Sequence, residues 1–188
     1  MELVGYDFPQ LEIALDDYDF TGPVLDIGGG GEGVIGQLLG RDVIAIDQRM
    51  DELLETTDGH HKVMMDARRL GFEGQLFPTL TAFFSLMYLP KREDQIAVFM
   101  ESQRVLEPGG SLHLWDVTQP EEPLEGSDYF VVYLRYGVRG KQRGTGYGMR
   151  WPGEKRDAAH YTALAEQVGL TCVRSDVLEH CFYLQFRK

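Results

Sequence analysis

The sequence predicts an α/β fold built on a doubly wound, mostly parallel sheet. Three observations predict it. An apolar run, Val24-Leu25-Asp26-Ile27, ends in four consecutive glycines, Gly28 to Gly31. A short helical pattern then leads into a second apolar run, Asp42 to Asp47, which ends in a carboxylate. Further apolar runs alternate with helical patterns down to Gly169, where two strand-like runs close the chain. Continuous apolar runs suit parallel strands buried on both faces. Strand, glycine turn, helix, strand and terminal acid form the mononucleotide-binding half of such a fold.

Taken in order, Phe8 to Asp17 reads as an amphipathic helix, so residues 1–22 are expected to form a helical N-terminal cover. Tyr6 and Tyr18 are its candidate pocket residues. Val24 to Ile27 is the first strand. Val34 to Leu39 is a helix with Val34, Ile35, Leu38 and Leu39 on its apolar side and Gly40 as its stop. The strand Asp42 to Asp47 follows, then a helix over Gln48 to Thr56 with Met50, Leu53 and Leu54 facing inward. Lys62 to Asp66 is a third strand, again ending in an acid, and Leu80 to Leu86 is a fourth. Asp94 to Val105 is helical, with Ile96, Phe99, Met100 and Val105 on the buried side. Pro108-Gly109-Gly110 turns the chain into a fifth strand, Ser111 to Val117. Residues 119–152 read as an insertion: a polar linker, a strand from Asp128 to Val138, a glycine-rich turn from Arg139 to Gly146, and a returning strand from Tyr147 to Trp151. A last helix, Arg156 to Val168, precedes an antiparallel pair, Leu170 to Asp176 and His180 to Arg187. The expected whole is one domain, 1–188. It is Rossmann-like: a doubly wound, mostly parallel seven-stranded sheet with a C-terminal antiparallel hairpin and a β-hairpin inserted after strand five.

Composition narrows the function classes. The chain of 188 residues carries a net charge of −12, and Met1 to His60 holds 14 Asp/Glu against 2 Arg and no Lys. Such a surface repels nucleic acid and anionic lipid, so neither is expected as a partner. No apolar run reaches the roughly 20 residues of a membrane span. The N-terminus lacks the pattern of a secretory signal, and a cytoplasmic location is expected. Cys172 and Cys181 are the only cysteines. Free thiols are expected of them, and no Cys/His spacing suggests a metal. The charge inverts between Arg135 and Arg156, where Arg135, Arg139, Lys141, Arg143, Arg150, Lys155 and Arg156 face a single acid, Glu154. This segment reads either as a solvated hairpin surface or as a basic flap over an anionic small substrate.

The glycine turn allows two cofactors. Gly28, Gly30 and Gly33 satisfy GxGxxG, and Asp47 stands where a ribose-binding acid belongs, which admits a nicotinamide dinucleotide. Asp26 and Glu32, however, flank the position a pyrophosphate would occupy, and two carboxylates there repel a diphosphate. They suit a ligand with ammonium and sulfonium charges and no phosphate, namely S-adenosylmethionine.

These residues resemble the first motif, VLDIGCGTG, of the class I S-adenosylmethionine-dependent methyltransferases (methyltransferase type 11-like), with Glu32 where the last family glycine would fall. Two further stretches carry the resemblance: Asp66-Ala67-Arg68-Arg69-Leu70-Gly71-Phe72, and Arg104-Val105-Leu106-Glu107-Pro108-Gly109-Gly110-Ser111-Leu112. It implies that Asp66 accepts from the adenine amino group and that the Ala67 N–H reaches a ring nitrogen. With Asp26, Gly28, Gly29, Gly30 and Asp47, and with Gln48 and Ser85 beside the second and fourth strand ends, they make the expected cofactor set. The family's histidine pair after strand four is replaced here by Met87-Tyr88.

The resemblance implies an enzyme working by in-line methyl transfer; the expected substrate is small, and anionic if the basic hairpin faces it. Alignment and exclusion of water carry most of that reaction, and a base is needed only for an acceptor that must lose a proton before attack. No catalytic residue is motif-defined; Tyr88, Asp116 and His160 are the candidates, and His113 reads as a core histidine. The rival readings are a non-catalytic S-adenosylmethionine-binding sensor or partner subunit, and an NAD-dependent oxidoreductase.

Overall fold

The computed structural model describes residues 3–56 and 59–188. Two short strands, β1 (Gly5–Asp7) and β2 (Leu11–Ile13), precede the glycine-rich unit β3 (Val24–Ile27), α1 (Val34–Leu39) and β4 (Val43–Asp47). Next come α2 (Met50–Leu53), β5 (His61–Met64), β6 (Phe77–Phe83), α3 (Arg92–Val105) and β7 (Leu106–Val117). The hairpin β8 (Tyr129–Val138) and β9 (Lys141–Arg150), helix α4 (Ala158–Gln167), and strands β10 (Thr171–Leu178) and β11 (Cys181–Arg187) complete the chain.

The main sheet has seven strands in the order β10-β11-β7-β6-β3-β4-β5. Strands β7, β6, β3, β4 and β5 are parallel, and β11 runs antiparallel to both its neighbours, β7 and β10. Strand order reverses between β3 and β6, so the crevice at their carboxyl ends is the fold's ligand-binding switch point. On one face α3 and α4 pack through Val98, Phe99, Tyr161 and Leu164 against Leu25, Leu80, Leu112 and Leu184.

The other face departs from the expected picture. Of the expected N-terminal helical cover, the described residues 3–22 form none. Instead β1 and β2 pair in parallel with β8 (Gly5↔Tyr129, Leu11↔Leu134), and only Leu15–Asp17 makes a 3-10 turn. Strand β9 covers the whole opposite edge of β8. This second sheet lays Phe130, Val132, Leu134, Tyr136 and Val138 on Val24, Val43, Trp115 and Tyr183 of the main sheet. It thus occupies the place of a helical layer. The reason lies in the pattern Leu11-Glu12-Ile13, buried, exposed, buried. Period-two burial wins once a strand edge is available to satisfy the backbone.

Smaller differences have local causes. The hairpin turn is two residues, Arg139 and Gly140, both at positive φ (50° and 74°), the geometry of a tight type I′ connection. Helix α2 is a single turn that buries Leu53 and leaves Met50 and Leu54 exposed, and Met100 on α3 is also exposed. Cys172 and Cys181 are free thiols, at opposite ends of the β10–β11 pair.

Candidate active site

A cleft of about 590 Å³ lies at the switch point, within the size range of small-molecule sites. Its floor is the glycine turn. The N–H groups of Gly28 and Gly29 both donate to the Ile46 carbonyl (2.9 and 3.0 Å), and Gly31 donates to Glu52 (3.0 Å). A side chain is excluded from the floor. A Cβ on Gly28 (φ +71°) would stand 2.4 Å from the Ser85 Cβ, one on Gly29 2.5 Å from Asp26 Oδ2, and one on Gly30 2.9 Å from Asp47 Oδ2. The ligand-facing backbone is therefore bare.

Carboxylates flank this floor. Asp26 is buried in β3, and its Oδ1 accepts from the Thr81 hydroxyl at 2.7 Å. Burial pushes the Asp26 carboxyl up to about 7, with a smaller push from Asp47 and against the Thr81 bond. Asp47 Oδ1 accepts from the Arg49 N–H at 2.9 Å, which fixes the side chain at the strand end. Glu32, Glu52 and Glu55 also line the cleft. Arg49 is its one cationic lining residue, and it is paired with Asp51 (2.6 Å) and Glu52 (2.8 Å).

Of the expected cofactor residues, Asp26, Gly28, Gly29, Gly30, Asp47, Gln48, Ala67 and Ser85 line the cleft together. Ser85 donates its hydroxyl to the Ile27 carbonyl (2.7 Å), tying β6 to the glycine turn. Asp66 stands just outside the lining. Arg68 holds its carboxylate through two contacts (Nε 3.0 Å, Nη2 2.7 Å), which keeps the carboxyl below its usual range. Arg68 continues to Asp94 at 3.0 Å.

The candidate catalytic residues separate. Tyr88 lines the cleft, and burial, with the Asp116 and Glu32 charges, pushes its phenol up to about 12. His160 lies on α4, its Nε2 at 2.7 Å from Gln95 Oε1, and does not reach the cleft. His113 is buried between Ser111 Oγ (2.9 Å) and the Tyr183 hydroxyl (2.8 Å), a core histidine as expected. Asp116 is fully buried behind the cleft. Its Oδ1 accepts from the Val117 N–H at 2.8 Å, and the Tyr161 hydroxyl of α4 acts on the same carboxyl. Burial pushes this carboxyl up to about 7, against donation from backbone N–H groups and the nearby Arg156 charge.

Between pH ~4 and ~7 the folded chain therefore keeps a proton on Asp116 that the unfolded chain has lost. Stability from this site falls as pH rises through that window and stays low above it. Asp116→Asn removes the charge and is expected to stabilise the protein by about 2 kcal/mol at pH 8, and by less at pH 5. Thermal melts at the two values check this; equal shifts would show that ionisation is not the cost.

Other cleft residues were not individually legible in the sequence. Thr145 of β9 donates its hydroxyl to Glu32, and Tyr147 stacks on Phe84 with ring centroids 5.5 Å apart and planes 7° apart. Phe84 holds a left-handed conformation, φ +50°, uncommon for a bulky residue. Of the hairpin aromatics, Tyr147 alone lines the cleft; Tyr129, Tyr133, Tyr136 and Trp151 do not, nor do Tyr6 and Tyr18. The basic segment is no flap over the cleft, because none of its seven cations lines it. Arg156 is instead fully buried, donating to the carbonyls of Leu89 (2.8 Å) and Pro90 (2.6 Å) and to Glu154 (2.9 Å).

The lining of the cleft contains no His, Lys or Cys. Among the described residues no group of acids, histidines and cysteines is disposed to hold a metal, and no helix is long and apolar enough to cross a membrane. What the arrangement can do is hold a positively charged nucleoside-bearing ligand against bare backbone between carboxylates.

Comparison with known proteins agrees. A family model described as a methyltransferase domain matches residues 25–114. No curated protein matches the sequence significantly. Among solved structures, the chain is similar to the CcbJ methyltransferase from Streptomyces caelestis, with 18% identity, 89% of each chain covered and a TM-score of 0.65. It is similar to a SAM-dependent methyltransferase from Aquifex aeolicus at 16% identity, covering 92% of this chain and 86% of that one, TM-score 0.64. A third, the glycopeptide N-methyltransferase MtfA complexed with S-adenosyl-L-homocysteine, shares 12% identity over 89% of this chain and 82% of its own, TM-score 0.61. Identities this low speak to the fold. The family match runs from the glycine turn through β4 to the Pro-Gly-Gly turn, so over residues 25–114 the chain is similar to a methyltransferase domain.

Proposed function

We propose that this chain methylates a small molecule by in-line displacement, holding the methyl donor on the Gly28–Gly30 floor. The observation that carries this reading is the floor itself: three positions where no Cβ fits, flanked by the carboxylates of Asp26 and Asp47. When bound, S-adenosylmethionine supplies a sulfonium-activated methyl group. Asp47 would take its ribose hydroxyls, and Asp26 would offset its positive charge. The Ala67 backbone would reach its adenine, with Asp66 available only on exchange of its Arg68 pairing. Phe83, Phe84 and Tyr147 exclude water from the reacting end.

Calorimetric titration with S-adenosylhomocysteine and with NAD tests the reading. Micromolar binding of the first is expected, and Asp47→Ala is expected to weaken it about 10- to 100-fold. That is the scale of one hydrogen bond to a charged group, roughly 1.5–3 kcal/mol. Preferential binding of NAD would instead make the chain an oxidoreductase.

A further inference from the structure

Beyond the cofactor half, the cleft has a second wall with its own chemistry. It is built from Phe84, Tyr88 and Tyr147, with Glu32 between it and the glycine turn. The phenols of Tyr88 and Tyr147 both feel the Glu32 carboxylate, and both are pushed upward, chiefly by burial. They therefore stay protonated at neutral pH and cannot act as bases. No histidine, lysine or cysteine lines the cleft to replace them. The hairpin cations that would have welcomed an anion lie elsewhere. Glu32 accepts from the Thr145 hydroxyl, yet a carboxylate offers about four acceptor sites, so it retains capacity for a further donor.

We infer that the methyl acceptor is a small amine, seated on the Phe84, Tyr88 and Tyr147 wall with Glu32 as its counter-charge. The inference rests on the methyltransferase reading of the same cleft. Its chemistry fits a site whose proton acceptors are carboxylates rather than histidine, lysine or cysteine. A neutral amine carries its own lone pair, whereas a hydroxyl must give up its proton on attack and a carboxylate would meet Glu32 with like charge. The lone pair forms the N–C bond as the S–C bond breaks, so the positive charge lost by sulfur appears on nitrogen, and one proton then leaves to water. Aromatic faces attract both the amine's cation and the product ammonium. An amine that enters as its cation first passes one proton to Glu32 or to water, which frees the lone pair for attack.

The test uses the intact protein saturated with S-adenosylhomocysteine. Phenethylamine and phenylacetate, which share a ring and differ in charge sign, are titrated calorimetrically. Phenethylamine is expected to bind at least about tenfold more tightly than phenylacetate, and Glu32→Gln is expected to collapse that preference about fivefold or more. Tyr147→Ala, which removes the ring but no charge, is expected to weaken both probes and keep their ratio. Equal or tighter binding of phenylacetate overturns the inference, as does failure of both to bind at millimolar concentration while S-adenosylhomocysteine binds. Failure of S-adenosylhomocysteine itself would instead overturn the methyltransferase reading.

Discussion

Gly28→Ala is expected to abolish cofactor binding and to destabilise the fold by about 3 kcal/mol. The new Cβ would have to adopt φ +71° and would stand 2.4 Å from the Ser85 Cβ. The left-handed conformation costs about 1–2 kcal/mol for a non-glycine residue, and overpacking adds roughly 1–3. Ser85 cannot simply withdraw, because its hydroxyl is bonded to the Ile27 carbonyl. The loop must lift, and the bare backbone that would face the ligand is lost. A fall of about 10 °C in the thermal midpoint and a loss of at least ~100-fold in S-adenosylhomocysteine affinity are the measurements. Gly109→Ala is the control: it has φ +80°, nothing within 4 Å of its Cβ, and lies outside the cleft. It should carry the strain alone and leave affinity intact. Retained affinity in Gly28→Ala would mean the glycine turn is not the floor of the site.

Arg156→Met is the second large effect. The guanidinium is fully buried and spends its donors on the Leu89 and Pro90 carbonyls and on Glu154. Removing it leaves those carbonyls short of donors and takes away a positive charge acting on Asp116. Breaking a buried charged network of this kind costs about 3–5 kcal/mol. The loss also reaches the cleft, since Leu86, Tyr88 and Leu89 belong to the segment that Arg156 latches. We expect a drop of about 10 °C in the thermal midpoint and roughly tenfold weaker binding of S-adenosylhomocysteine, with Arg156→Lys intermediate. A midpoint unchanged in Arg156→Met would show that the latch is not structural.

The parts of the molecule that obey local rules were legible in the sequence. Helix α1 has the predicted limits, Val34 to Leu39, because its apolar spacing and the glycines on either side act within a few residues. The same holds for the strands ending at Ile27 and Asp47. What escaped depends on distant partners. Leu11, Ile13 and Leu15 fit a helix as well as a strand, and only the presence of β8 decides between them. Arg156 reads as one more surface cation until Leu89 and Pro90 are brought to it from 67 and 66 residues away. Asp66 was expected to meet adenine, yet Arg68, two residues on, competes for the same oxygens. The conformation of Phe84 has no sequence signal at all, since nothing in its neighbours demands a left-handed backbone.

The pairing of β1 and β2 with β8 has a consequence for the order in which the molecule acquires its parts. The Val4 N–H meets the Asp128 carboxylate across 124 residues of chain, and closing so long a loop is entropically costly and slow. The glycine turn takes its backbone partners, Ile46 and Glu52, from nearby in the chain, whereas the second sheet is complete only when the N-terminal strands lie along β8. Trimming β1 and β2 would strip one edge of β8 without removing a single lining residue of the cleft.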